Sequence, residues 1–197
     1  MEDLYNIAKS KNATCIVMGF HGHKANLEKK ELTKGIIYMM TSITMPVLIV
    51  KEKLKREKKD TKGFLWVVCL NNSRFSRTYF NSFKAILPQV DKVNNRVIGI
   101  TITRTGDGSD KGEVESDFVN RCRENDIKNF SFKYIPLDKE INNIGKQLTN
   151  LVNFTEDTID FIALGFNLNK IENKEEATAI PVIKYAMTNI LYCPNML

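Results

Sequence analysis

The amino-acid sequence predicts an α/β protein with an open, doubly wound parallel sheet and helices on both of its faces. Short apolar runs typical of buried strands alternate with segments of about 10–15 residues whose apolar positions have helical spacing. Such alternation is typical of βαβ units, in which right-handed helical crossovers join parallel strands. A closed eight-stranded barrel needs more than the 197 residues present, so an open sheet is expected.

The first fifty residues contain two helix signals and two strand signals. A helix is predicted over residues 2–11, and the strand Thr14–Met18 follows it and ends at Gly19. A polar loop then leads to a second helix at about 31–43. The next strand is Pro46–Val50, because a proline at the first residue of a strand need not donate a hydrogen bond.

From residue 63 the alternation restarts and continues to the end of the chain. The predicted strands are 63–70, 96–102, 130–135 and 159–164, and the helices between them are 74–87, 113–125 and 139–153. A last helix begins near Pro181, whose missing N–H has no helical partner in a first turn, and extends to about 191. Pro194–Leu197 is predicted to form a final short strand.

A charged segment separates the two parts of the chain. Residues 51–62 hold seven basic and three acidic side chains, a net +4 of the total +6, so the rest is nearly neutral. We interpret the segment as a solvated linker. An adaptor that binds nucleic acid or a membrane surface through this basic run is an alternative, although no aromatic side chain interrupts the run to stack on bases.

The composition indicates neither a membrane span nor a disulfide framework. The apolar runs Met45–Val50 and Gly63–Leu70 are much shorter than the roughly 20 residues of a transmembrane helix. The four cysteines are scattered singly, and those on or beside strands, Cys69 and Cys193, are expected to be buried and unreactive. With no secretory signal visible, a cytoplasmic protein is expected.

No catalytic constellation and no metal site are predicted. His21 and His23 are the only histidines, and a metal site needs three or four ligands, none of which follows at a suitable spacing. The Gly/Asp-rich segment 105–112 fits neither the dinucleotide-binding pattern nor a P-loop nor an EF-hand, so it is predicted to be a surface loop.

The segment after the first predicted strand resembles the universal stress protein family. Residues 16–23 read Ile-Val-Met-Gly-Phe-His-Gly-His, and residues 45–50 read Met-Pro-Val-Leu-Ile-Val. In that family a strand ends in a G-x-x-G loop, which is followed after nine residues by G-[S/T], a helix and a Pro-Val-Leu-Val-Val strand. With the order of the elements, the resemblance covers nearly the whole chain.

The family's nucleotide-binding residues transfer to this sequence one position at a time. Gly19 and Gly22 match the first two glycines, His21 matches a histidine common in the loop, and Thr33 matches the hydroxyl position. Leu32 stands where the family has its third glycine, which weakens the expected binding. Glycines let the backbone approach a phosphate, and a helix N-terminus attracts an anion, so the motif suits this ligand.

The resemblance implies a five-stranded α/β fold of strand order 3-2-1-4-5, of the adenine nucleotide alpha hydrolase-like type, which dimerises through its last strand. Some members bind ATP or other adenine nucleotides, so ATP or AMP is the implied cofactor. The later part of the chain departs from the motif: Asn71 replaces the family's acidic residue, and Leu168 replaces the glycine three positions after Gly165. That part is expected to bind no nucleotide.

The resemblance also implies a division of the chain. Residues 1–50 match the C-terminal half of a first universal-stress-like domain, 51–62 the linker, and 63–197 a complete second domain. Strand 46–50 is expected to pair antiparallel with the last strand of the second domain, which extends one sheet and protects two edges. A homodimer through the last strands is the corresponding intermolecular form.

The expected function is that of a non-catalytic stress-response or regulatory protein that acts through dimerisation or partner binding. Adenine-nucleotide binding is expected to be weak or lost. The alternative is an ATP- or AMP-binding switch with at most slow ATP hydrolysis.

Overall fold

The computed structural model describes residues 1–20, 32–51, 63–70, 94–103, 111–155, 158–166 and 179–194. Within these residues seven strands form a single sheet: β1 Ile16–Gly19, β2 Val47–Val50, β3 Leu65–Cys69, β4 Arg96–Thr103, β5 Asn129–Pro136, β6 Phe161–Phe166 and β7 Asn189–Pro194. Their order is β1-β2-β7-β6-β3-β4-β5. All neighbours are parallel except β2 and β7, which are antiparallel.

Helices cover both faces of this sheet. They are α1 Glu2–Ser10, α2 Lys34–Ser42, α3 Lys111–Glu124, α4 Ile144–Phe154 and α5 Ala179–Tyr185. One hydrophobic core joins the sheet to α1, α2, α4 and α5, and a second core joins its other face to α3 through Phe118 and Cys122. The protein is therefore the predicted three-layer α/β/α structure with an open, doubly wound sheet.

The chain end differs from the prediction. The last helix ends at Tyr185 instead of about residue 191, and the last strand is Asn189–Pro194 instead of Pro194–Leu197. Asn153 stabilises the earlier end, because its side chain donates to the Tyr185 carbonyl at 3.0 Å and accepts from the Met187 N–H at 2.7 Å. The apolar residues 190–193 are then buried within the sheet, where a strand places them between two neighbours.

The start of one other helix differs from the prediction, and one predicted helix falls outside the residues that the structure describes. The helix predicted over 139–153 begins only at Ile144, because Asn142 has a left-handed φ of 41° and the Asn143 side chain caps the helix by accepting from the Lys146 N–H. The helix predicted at 74–87 lies outside the described residues.

The antiparallel pair β2–β7 confirms the predicted contact between the first part of the chain and the last strand. Its partners are Val47 with Tyr192, Leu48 with Leu191, and Ile49 with Ile190. The parallel registers on either side match as well, since Ile16 lies beside Val47 in β1–β2 and Ile162 lies beside Ile190 in β6–β7. The pair β1–β2 is thus related to β6–β7 by a pseudo-twofold axis that passes between Leu48 and Leu191.

A buried side-chain hydrogen bond reinforces this junction. The Tyr192 hydroxyl donates to the Met40 carbonyl at 3.0 Å, which connects β7 to α2 across 152 positions of sequence.

Among the described helices, none has the length and apolar character that a membrane crossing requires.

Candidate functional site

The candidate site lies where β1 ends and α2 begins. Gly19 is the last residue of β1 and is exposed, and the next residue, Phe20, is buried with its N–H donating to the Val50 carbonyl at 3.0 Å. Because the chain returns from β1 to β2 through α2, the N-terminus of α2 lies at the same carboxyl edge of the sheet. Ligands of open α/β sheets bind at this edge.

Thr33 occupies the N-cap of α2. Its backbone is extended, with φ −64° and ψ 151°, and its Oγ1 accepts the Ile36 N–H at 3.3 Å. The hydroxyl therefore satisfies one of the free N–H groups that the helix would otherwise offer to an anion. With no acidic side chain in the first turn, the helix end keeps the positive field of its dipole.

The residues that flank Thr33 are used for packing. Leu32, at the position of the family's third glycine, is half-buried and packs against the larger core. Gly35 lies in the first turn of α2, and a Cβ placed on it would stand 3.5 Å from the Met1 side chain, an ordinary contact. This glycine is therefore part of the helix rather than of a phosphate-binding loop.

The structure describes two of the four residues of the predicted site. Gly19 and Thr33 lie on the two elements that frame it, whereas His21 and Gly22 lie outside the described residues. In the later part of the chain, Gly165 lies in β6, and Asn71 and Leu168 are outside the described residues.

Lys51, the first residue of the predicted linker, adds a cation to this edge of the sheet. Its Nζ lies 3.4 Å from the centroid of the Phe20 ring and donates to the Ile183 carbonyl, and its N–H donates to Asn189 Oδ1 at 3.0 Å. The ammonium thus lies at the C-terminal end of α5, where a cation is favoured by the helix dipole. The sequence did not predict this role, because Lys51 is the first residue of the charged segment 51–62, which we interpreted as a solvated linker.

The thiols have no features of a reactive site. Burial raises the pKa of Cys122 to about 12 and also raises the pKa of Cys69 and Cys193, as expected for inert protonated thiols. All four cysteines are free. Within the described residues, no group of three or more His, Cys, Asp or Glu is placed to hold a metal ion.

Comparison with known proteins identifies the fold. No family model and no curated protein matches the chain. Among solved structures, a universal stress protein from Archaeoglobus fulgidus DSM 4304 matches with a TM-score of 0.64 at 14% identity, over 96% of this chain and 65% of its own. A functionally unknown protein from Pseudomonas aeruginosa PAO1 matches with a TM-score of 0.62 at 13% identity, over 98% of this chain and 67% of its own.

A third structure, a universal stress protein in complex with cAMP, matches with a TM-score of 0.53 at 13% identity, over 69% of this chain and all of its own. At identities this low, the structural similarity establishes the fold alone. The chain has the fold of universal stress proteins. It spans about two thirds of the length of the Archaeoglobus and Pseudomonas proteins.

Proposed function

We propose that this chain is a universal-stress-protein-like regulatory protein that acts through association with a partner and binds adenine nucleotides weakly or not at all. Its free thiols suit a reducing compartment such as the cytoplasm. The proposal includes no catalytic step, because the described residues around Gly19 and Thr33 offer no nucleophile paired with a base.

The proposal of weak nucleotide binding depends on the contacts that Thr33 and Leu32 make. The Thr33 hydroxyl accepts the Ile36 N–H, and Leu32 packs into the core where a glycine would let the backbone approach a phosphate. A phosphate would have to compete with the Thr33 hydroxyl for the Ile36 N–H, and at Leu32 it would meet a leucine in place of a glycine. Both effects reduce affinity.

The proposed organisation keeps the predicted division into residues 1–50, 51–62 and 63–197. It is supported by the repeat of the β1–β2 register in β6–β7 and by the antiparallel pair between them. In this organisation the antiparallel contact between β2 and β7 joins two related units within one chain.

A nucleotide switch is the second candidate. It is favoured by the exposed Gly19, which lies at the same edge of the sheet as the α2 N-terminus, and by the likeness to a universal stress protein in complex with cAMP. In that case the ligand would be ATP, AMP or cAMP, with its phosphate at Thr33.

One experiment separates the two candidates. The full chain is purified without added nucleotide and heat-denatured, and adenine nucleotides in the supernatant are measured against protein; the assay is repeated after incubation with excess ATP, AMP or cAMP. We expect far less than one nucleotide per chain. Near-stoichiometric nucleotide would contradict the proposal and support the switch.

Paired variants show whether any bound nucleotide occupies this site. Gly22→Val and Thr33→Ala are expected to remove binding at the proposed position, whereas Thr33→Ser keeps both the hydroxyl and the helix cap. Nucleotide that all three variants retain would place its site elsewhere on the chain.

A further inference from the structure

Three large apolar side chains are exposed at the edge of the sheet where β6 and β7 begin. Phe154, Met187 and Tyr185 are 79%, 61% and 47% exposed. Phe154 is the last residue of α4 and Tyr185 the last of α5, and each of these helices leads into a strand that starts at this edge. We call these three side chains the amino-edge patch.

The side chain of Asn153 brings the members of the amino-edge patch together. It donates to the Tyr185 carbonyl and accepts from the Met187 N–H, so the end of α4 lies against the turn between α5 and β7. A single exposed apolar side chain needs no explanation. Three that are held together at one place indicate an interaction surface.

The basic segment 51–62 is attached to the same edge at both of its ends. At one end the Lys51 N–H donates to Asn189 Oδ1 at 3.0 Å, at the start of β7. At the other end Gly63 packs closely on the backbone at Asn95, and the Phe64 N–H donates to Asn95 Oδ1 at 2.7 Å, directly before β3. Since β7 and β6 lie between β2 and β3, the two ends are about 14 Å apart, on either side of the strands that the patch precedes.

The charge of this edge is positive. Residues 51–62 carry seven basic and three acidic side chains. Lys184, in the last turn of α5, adds a cation, whereas Glu156 and Asp157 follow Phe154 in the sequence and reduce the excess without reversing it. An apolar patch beside a basic segment is complementary to a surface with negative charge outside and hydrocarbon beneath, which is an anionic lipid bilayer.

We propose that the amino-edge patch docks on the surface of a membrane that contains anionic lipid. Phe154, Tyr185 and Met187 enter the boundary between head groups and acyl chains, while the basic segment attracts the protein to the head groups. Stable attachment to a membrane surface takes two such signals. The inference names the partner of the proposed function and rests on that function only for the role of association.

A nucleic acid fits the same edge less well. Single strands bind where aromatic rings follow a basic groove, and the basic segment contains no aromatic side chain. In the patch Met187 cannot stack on a base, and neither can Val50, which precedes Lys51 and is 38% exposed. The interface of a bilayer takes aromatic and aliphatic side chains alike.

The first test measures sedimentation of the full chain with lipid vesicles. Vesicles of phosphatidylcholine that contain about 30% phosphatidylserine are compared with vesicles of phosphatidylcholine alone. We expect the chain to bind the anionic vesicles at least about tenfold more tightly, and this binding to weaken as salt is added. Equal binding to both kinds of vesicle, or binding to neither, overturns the inference.

A pair of double variants tests the apolar part of the surface. Phe154→Gln with Met187→Gln should weaken binding to the anionic vesicles by about tenfold or more, because less apolar surface leaves water. The control is Ile7→Gln with Val17→Gln, which changes side chains that are 58% and 63% exposed on α1 and β1. It should leave binding unchanged. If the patch variant binds like its control, the inference fails.

A pair of fourfold variants tests the location of the charge. Glutamine at four basic positions of the segment should weaken binding to the anionic vesicles by about tenfold or more. The same change at four exposed lysines elsewhere should weaken it by less than about threefold. The segment positions are Lys55, Arg56, Lys58 and Lys59, and the control positions are Lys9, Lys11, Lys133 and Lys139. Equal losses in the two variants contradict the proposed surface.

Phe154→Trp reports directly on insertion. Its emission should shift to the blue on anionic vesicles and be quenched by brominated lipid, while the buried Trp66 gives a constant background. Unshifted emission from vesicle-bound protein overturns the inference. So does a single-stranded oligonucleotide of about 20 nucleotides that displaces the chain from vesicles and still binds the patch variant, because nucleic acid would then be the partner. None of these results involves the nucleotide content, so failure here is distinguishable from failure of the proposed function.

Discussion

Leu48 lies directly opposite Leu191 at the centre of the antiparallel pair β2–β7. Both side chains belong to the core on the α3 face of the sheet, where Leu191 is fully buried and Leu48 is half-buried. The pair marks the pseudo-twofold axis, so the contact by which this fold is expected to join two chains here joins the first fifty residues to the rest of one chain. The stability of those residues therefore depends on this junction.

Truncating Leu191 should weaken the whole protein. We expect Leu191→Ala to lower the free energy of unfolding by about 2–5 kcal/mol, because it leaves a cavity between β2, β6 and β7. Urea denaturation followed by circular dichroism measures the loss. Val17→Ala, at an exposed position of β1, is the control and should change the value by about 0.5 kcal/mol or less. Similar losses in the two variants would contradict the proposed importance of the junction.

Removing the Tyr192 hydroxyl should be costly although the ring remains. In Tyr192→Phe the Met40 carbonyl loses its buried donor, and we expect a loss of about 1–3 kcal/mol in the free energy of unfolding. Tyr5→Phe is the matched control, because the Tyr5 hydroxyl bonds Thr44 at 2.9 Å at an exposed site and should contribute less. If the two substitutions cost the same in urea titrations, the hydrogen bond to Met40 does not stabilise the junction.

Neutralising Lys51 should loosen the same junction from the carboxyl edge of the sheet. Lys51→Met keeps the length of the side chain but removes the cation over Phe20 and the donor to the Ile183 carbonyl, at a cost of about 0.5–2 kcal/mol. Lys128→Met, whose ammonium is well exposed and 3.8 Å from Asp126, is the control and should cost almost nothing. A shift in melting temperature in Lys51→Met alone would support the role; equal shifts would exclude it.

The buried thiol of Cys122 should make stability fall at alkaline pH. Its pKa is raised by burial from an ordinary 9.0 to about 12, so above about pH 9 the unfolded chain releases a proton that the folded chain keeps. The contribution is complete below pH 9 and is lost progressively up to about pH 12. In urea titrations under reducing conditions, the stability difference between wild type and Cys122→Ala should therefore move in favour of the variant from about pH 8 to pH 11. A difference that is constant across this range would show that the thiol does not titrate in this way.

Much of the secondary structure could be predicted because it depends on local patterns. The apolar runs predicted as strands over 14–18 and 46–50 form β1 Ile16–Gly19 and β2 Val47–Val50, and the helical spacing predicted over about 31–43 forms α2. The start of α2 at Lys34, after the Thr33 cap, was not predicted. The last helix and strand were predicted at the wrong positions because the apolar residues 190–193 are compatible with the end of a helix as well as with a strand. The side chain of Asn153, more than thirty positions away, bonds the backbone on both sides of the end of α5 at Tyr185.

The candidate site was predictable as a motif but not as a set of contacts. The positions of Gly19 and Thr33 follow from the sequence, whereas the capping bond of Thr33 and the packing of Leu32 depend on where α2 meets the core. Lys51 was missed because its partners, Phe20, Ile183 and Asn189, come from distant segments. Charge pattern alone assigned it to a solvated linker.

The sequence by itself determined the fold class and the order of most elements, because periodicity is a property of the chain. The antiparallel contact between residues 46–50 and the last strand followed from the resemblance to the universal stress protein family. The tertiary structure alone decided the register that places Leu48 opposite Leu191 and the position of Leu191 between β2 and β6. These depend on which strand lies on each side of a given strand, and such neighbours are set by pairing across the whole sheet rather than by local sequence.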